Sequence, residues 1–189
     1  MTTSVELVVM KCPRCAAFVP AEEDEVAWAC AQCGQGMQLT ASGLAPLPIQ
    51  WAAVRENAAK FQWRPFWVFS GTVAFSQRES FGRQGQPDDV WLAPRRFYVP
   101  AYPATLGQIE TLGADLTRKQ VALKPGRPAG ALSQCVLFPD DARQAIEFIV
   151  LTIEADRKDK IRSIDFSLSL GEPELWVLPF ADDRLVIDE

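Results

Sequence analysis

The chain of 189 residues contains no histidine. That absence removes a Ser-His or Cys-His nucleophile, an imidazole general base and any mixed His–Cys metal site. Long hydrophobic runs are missing as well. Crossing a bilayer as a helix takes roughly 18–20 apolar residues, and the nearest approach, IEFIVLTIEA at 146–155, is short and carries Glu147 and Glu154. There is no glycine-rich phosphate loop: PGRPAG lacks the spacing and the lysine, and GRQGQPD is not preceded by the buried strand such a loop requires. The N-terminal MTTSVELVVMKCPRC has no basic region, and Glu6 interrupts VELVVM. It therefore reads as a strand and not as a signal peptide, so a reducing cytoplasm is the expected location.

Apolar residues make up 48% of the chain and charged ones 23%, with six Trp and eleven Phe, which is enough to build a packed core. The net charge of −5 repels polyphosphate at long range. A nucleic-acid partner would need a local basic patch to overcome that average.

The strongest motif is CPRCAAFVPAEEDEVAWACAQCG, residues 12–34. Two Cys-x-x-Cys pairs, Cys12/Cys15 and Cys30/Cys33, lie fourteen residues apart. In each pair a tight turn lets both thiolates point at one spot. Pro13 presets the first turn, and Gly34 supplies a positive φ for the second. The residues between fit a hairpin: a strand at Ala17–Val19, an acidic tip at Glu22–Glu25 and a return strand at Val26–Cys30. Disulfides need an oxidising compartment that nothing here signals. A thioredoxin-like couple needs a single pair at a helix N-terminus. A rubredoxin-type iron site uses the same four sulfurs, usually with a longer insert.

These residues resemble the zinc-ribbon family of four-cysteine modules, over about residues 5–45. The resemblance implies that Cys12, Cys15, Cys30 and Cys33 ligate one structural zinc ion, and it makes zinc the expected cofactor. Ala16 departs from the pattern, since the family often has glycine after the second cysteine. Four protein thiolates would leave no open coordination position, so the site is expected to be structural and not catalytic. Metal binding on the order of 10 kcal/mol would then fold the module. Cys135, alone in the apolar run SQCVLF, reads as a buried small hydrophobe.

Beyond the module, TASGLAPLP (40–48) has linker composition, and Trp51, Val54, Ala58 and Phe61 are spaced as on a short helix. The implied organisation is a zinc ribbon over 1–45, a linker and short helix over 46–62, and an α+β domain over 63–189. In that domain FWVFSGTVAF, VWLA, RFYVPAY, QVALK, SQCVLF, IRSIDFSLSL and ELWVLPF read as strands, with RLVID closing a terminal hairpin about Asp182–Asp183. Helices are expected near 104–118, weakened by Gly107 and Gly113, and over PDDARQAIEFIVLTIEADRKDK, with acid at its start and Lys158 and Lys160 at its end. The fold class is therefore α+β, a mainly antiparallel sheet with two or three helices. WRPFWVF, FYVPAY and LWVLPF each set a proline in an aromatic run, as equivalent ends of a duplicated unit or simply as three similar strands.

No catalytic constellation emerges. Asp88–Asp89, Asp140–Asp141 and Asp182–Asp183 fall where turns and caps favour aspartate, so neither catalytic nor organic-cofactor residues are expected. The leading reading is a non-enzymatic adaptor that docks protein partners through the acidic hairpin and aromatic strand edges. The alternative is nucleic-acid association through residues 78–127, where Arg78, Arg83, Arg95, Arg96, Arg118, Lys119, Lys124 and Arg127 interleave with Phe81, Trp91, Phe97 and Tyr98.

Overall fold

A computed structural model describes residues 8–56, 58, 60–81, 89–128, 132–157 and 160–188. The strand expected in VELVVM and the turn-rich GRQGQPDD, with Glu6, Arg83, Asp88 and Lys158, fall wholly or largely outside the described residues. The chain is α+β. Its first sheet is antiparallel, with strands β1 (Ala27–Ala29), β2 (Gly36–Thr40) and β3 (Gly43–Pro46) in that order. The hairpin expected between Ala17–Val19 and Val26–Cys30 is not formed. β1 pairs downstream with β2, and among the described residues upstream the one bridge is Lys11–Phe18. The segment read as a linker supplies β3, because Thr40 and Gly43 turn the chain back and Gly43 takes the positive φ of 114° that this turn needs.

The larger sheet is organised by β5 (Gln62–Ser80), a strand of nineteen residues. Two strands run antiparallel along one edge of it in succession. β7 (Ile161–Leu170) pairs with residues 71–80, and β8 (Glu174–Ala181) with residues 62–68. β6 (Arg95–Pro100) occupies the opposite edge, from Phe66–Pro100 to Gly71–Arg95. β4 (Ile49–Trp51) adds to β8 in parallel, and β9 (Arg184–Leu185) closes the terminal hairpin. The three aromatic-run prolines lie together across β6, β5 and β8, where Phe66 faces Pro100, Pro65 faces Val177 and Trp63 faces Pro179.

Residues 65–69 of β5 are buried without interruption because both faces of the sheet are covered. Trp67, Phe69 and Val73 pack with Ile146, Ile149 and Val150 of helix α2 (Pro139–Ala155). Phe66 and Val68 point to the other face, with Tyr98, Trp176 and Phe180. Helix α1 (Leu106–Lys119) opens with a Thr105/Gln108 capping box and ends at Gln120 in the left-handed region. Gly113, unfavourable by propensity, is explained by packing: a Cβ there would lie 2.4 Å from Ile149 Cδ1 and 2.8 Å from the Tyr98 carbonyl oxygen.

Four further expectations are corrected. No helix occurs among the described residues of 46–62. Trp51 and Val54 do pack beside Trp63 and Val177, but from an extended chain pinned by bridges at Ala52 and Val54. VWLA begins in a 3-10 turn, Asp89–Trp91. QVALK and SQCVLF form no strand, and the bridges near them are isolated ones at Pro125, Leu132 and Cys135. Helix α2 ends at Ala155 with no base in its last turn, leaving Lys160 beyond it. No helix among the described residues is long and apolar enough to cross a membrane.

Candidate metal centre

The two cysteine pairs are built alike. Cys12 and Cys30 each accept a hydrogen bond at their carbonyl oxygen from the residue four positions on, Ala16 N–H at 2.9 Å and Gly34 N–H at 2.8 Å. Cys12 N–H donates to the Ala17 carbonyl, and Cys30 N–H donates to that of Gln35. Ala16 and Gly34 both adopt positive φ, 59° and 72°. Each loop thereby folds back, β1 and β2 close the second loop, and the two loops meet in one apolar cluster of Val19, Trp28 and Met37 with Cys12 and Cys30.

The four sulfur atoms lie within 4.8 Å of one another. Cys12 Sγ is 3.6 Å from Cys33 Sγ, and Cys15 Sγ is 3.7 Å from Cys30 Sγ. A tetrahedral centre with metal–sulfur bonds of about 2.3 Å has sulfur–sulfur edges of about 3.8 Å. The spacing therefore matches a shared central ion, and the cysteines are free thiols. The cluster can hold a metal ion. Its apolar support comes from Val19, Trp28 and Met37, which pack around Cys12 and Cys30.

Crowded thiols polarise one another. Burial raises Cys12, but N–H groups of Cys15 and Arg14 and the neighbouring thiols more than offset it, taking Cys12 down to about 7. At Cys15 the Ala17 N–H favours the anion, yet burial and the three other thiols prevail and push it up to about 12. The Cys33 N–H draws Cys30 below its ordinary value against the effect of burial. A protonated cluster of this kind shares its protons unevenly, and a metal would replace them. Cys135 lies apart from this cluster. It is fully buried, and burial pushes its thiol up to about 12.

The described basic and aromatic residues of 78–127 do not form one surface. Trp91, Phe97 and Tyr98 are core residues, and among the four named aromatics only Phe81 is exposed. Arg78 is buried against Glu154 at 2.8 Å, while Arg95 hydrogen-bonds the Val90 and Thr117 carbonyls. Glu154 was missed as a key residue by sequence reading. It sits fully buried on α2 and accepts from Arg78 Nε at 2.8 Å and from Trp91 Nε1 at 2.7 Å. The available signal was an acid four residues after Val150, on the same apolar stripe.

The acidic tip forms one wall of a cleft of about 690 Å³, facing Val136, Phe138, Pro103 and Gln134. Glu25 is tied back by Trp28 Nε1 and the Glu22 N–H, leaving Glu22, Glu23 and Asp24 exposed. Asp140 and Asp141 lie in the first turn of α2, and Asp182 and Asp183 in the β8–β9 turn. No family model, curated protein or solved structure matches this chain.

Proposed function

We propose that Cys12, Cys15, Cys30 and Cys33 hold one structural zinc ion in a zinc-ribbon module, and that the chain is a non-enzymatic adaptor for protein partners. The observation that carries the metal assignment is the pair of sulfur–sulfur spacings, 3.6 and 3.7 Å, at the edges of one tetrahedron. All-thiolate ligands suit zinc or iron, and a short chain of reciprocal turns with no histidine suits a closed structural site. The ion ties residues 12–15 to residues 30–33 and so holds the acidic tip between them.

The adaptor reading rests on that tip. Glu22, Glu23 and Asp24 stand exposed beside an apolar cleft, a negative surface that favours cationic protein segments over phosphate. Three of the four aromatic residues that the nucleic-acid alternative would use for stacking are buried, which favours the adaptor. Substituting serine for Cys30 is expected to release the metal and unfold residues 8–46 while the α2 helix persists. A gel shift separates the two functional readings. Nucleic-acid binding that weakens steeply with salt and disappears in Arg95→Glu/Arg96→Glu would overturn the adaptor.

A further inference from the structure

A second cleft, of about 930 Å³, adjoins the one below the acidic tip, and the two share Pro103 and Gln134. Arg64 of β5 lines it, with its guanidinium 5.2 Å from the centre of the Tyr102 ring and 5.1 Å from that of Phe180. Two aromatic rings flank the group, which lines the cleft. One carboxylate already meets it. Asp183 Oδ1 lies 3.4 Å from Arg64 Nη1, a single long contact from a side chain that is 98% exposed, while the Arg64 side chain is only 19% exposed. A guanidinium ordinarily takes a carboxylate through two bonds of about 2.8 Å. The Asp183 contact is therefore weak enough for a better-placed carboxylate to displace.

The remaining walls suit a peptide. Gln62 and Gln134 offer amides for main-chain hydrogen bonds, the Gln108 amide oxygen being engaged by the Thr105 cap, and Leu112 and Leu132 add apolar lining. Beyond the shared Pro103 and Gln134, the first cleft is lined by Val136, by Phe138, which is 41% exposed, and by Glu22, Glu23 and Asp24. The joined clefts thus carry Arg64 in one part, beside Asp183 and an Asp115 held by Lys119 Nζ at 2.7 Å, and a group of exposed carboxylates in the other.

We propose that the joined clefts bind the C-terminal end of a partner polypeptide, with its terminal carboxylate on Arg64 and a lysine or arginine a few residues upstream beside Glu22–Asp24. The proposal rests on the adaptor reading and gives it a partner chemistry. A carboxylate supplied by the chain end is distinguished from a side-chain or small-molecule carboxylate by its position: only the first obliges the cationic residue to lie upstream within the same peptide.

The metal-loaded full chain, immobilised, is offered two pools of random hexapeptides, one with free C-termini and one amidated. The free-acid pool should be retained at least tenfold more, since a hydrogen bond to a charged group contributes about 1.5–3 kcal/mol, and retained peptides should be enriched in lysine or arginine away from the C-terminus. Arg64→Lys should reduce retention about tenfold. Asp183→Asn, which removes the competing carboxylate from an exposed position, should increase it. Glu22→Gln/Glu23→Gln/Asp24→Asn should abolish the enrichment in basic residues while sparing the preference for a free acid. Equal retention of both pools, retention of neither, or unchanged retention by Asp183→Asn would each overturn the proposal. The adaptor reading would survive that result and falls only to the gel shift above.

Discussion

Ala16 and Gly34 occupy equivalent positions, each following the second cysteine of its pair and each closing its loop in the left-handed region, at φ 59° and 72°. Only one of them is a glycine. An L residue there costs about 1–2 kcal/mol through the approach of its Cβ to the carbonyl oxygen. Ala16→Gly should accordingly raise the stability of the metal-loaded protein by about 1 kcal/mol, measured by denaturant unfolding. Gly34→Ala should lower it by a similar amount, because no atom lies within 4 Å of the added Cβ and backbone strain is the whole cost.

Glu154 joins three elements: its carboxylate receives Arg78 from β5 and Trp91 from the 3-10 turn, and it is carried by α2. The Arg78 and Glu154 side chains are 3% and 0% exposed. Removing one member of a buried pair costs about 3–5 kcal/mol, because the other charge stays desolvated. Glu154→Gln should lower unfolding free energy by about that amount. A loss below about 1 kcal/mol would mean that the pair is solvated.

Gly113 allows α1 to approach Tyr98 and Ile149 more closely than any side chain permits. Gly113→Ala gains helix propensity of about 1 kcal/mol but meets the Tyr98 carbonyl oxygen at 2.8 Å and Ile149 Cδ1 at 2.4 Å. Overpacking of this kind costs about 1–3 kcal/mol. A net decrease in melting temperature is expected. Gly107, whose Cβ would meet nothing, should instead be stabilised by alanine.

Cys135 has its thiol pushed up to about 12 by burial. After metal removal under reducing conditions, iodoacetamide at pH 8 should label Cys135 only when the protein is denatured. The folded-state value lies above the ordinary value of 9.0, so the protonated thiol favours folding fully below about pH 9. That contribution is lost as pH rises through about 12. Labelling of the native protein at Cys135 would show that the segment at 132–138 opens readily.

How much of this was legible in the sequence depends on how local the cause is. The cysteine pairs, α1 and the long strands declare themselves through spacing and periodicity, as do the alternating Ile164, Phe166, Leu168 and Leu170 of β7. Trp51, Val54 and Phe61 misled because helical spacing also suits apolar residues delivered to one cluster by an extended, bridged chain. SQCVLF has the composition of a strand, but its hydrogen bonds are divided: the Cys135 carbonyl takes Val26 N–H, and Val136 N–H goes to Ala101. The β1–β2 pairing escaped notice because Gly36, Met37 and Gln38 carry no alternation, and Gly36 is required only by the closeness of the Leu47 carbonyl and Ile49. The Arg64 cleft was hidden altogether, since residues 62, 64, 102, 134 and 183 meet only in the folded chain.

The most direct test of the account is metal analysis of the purified full chain combined with X-ray absorption at the metal edge. The prediction is one zinc per chain, surrounded by four sulfur atoms at about 2.3 Å with no nitrogen or oxygen neighbour. A chain that folds without stoichiometric metal, or a centre with fewer than four sulfurs, would contradict it.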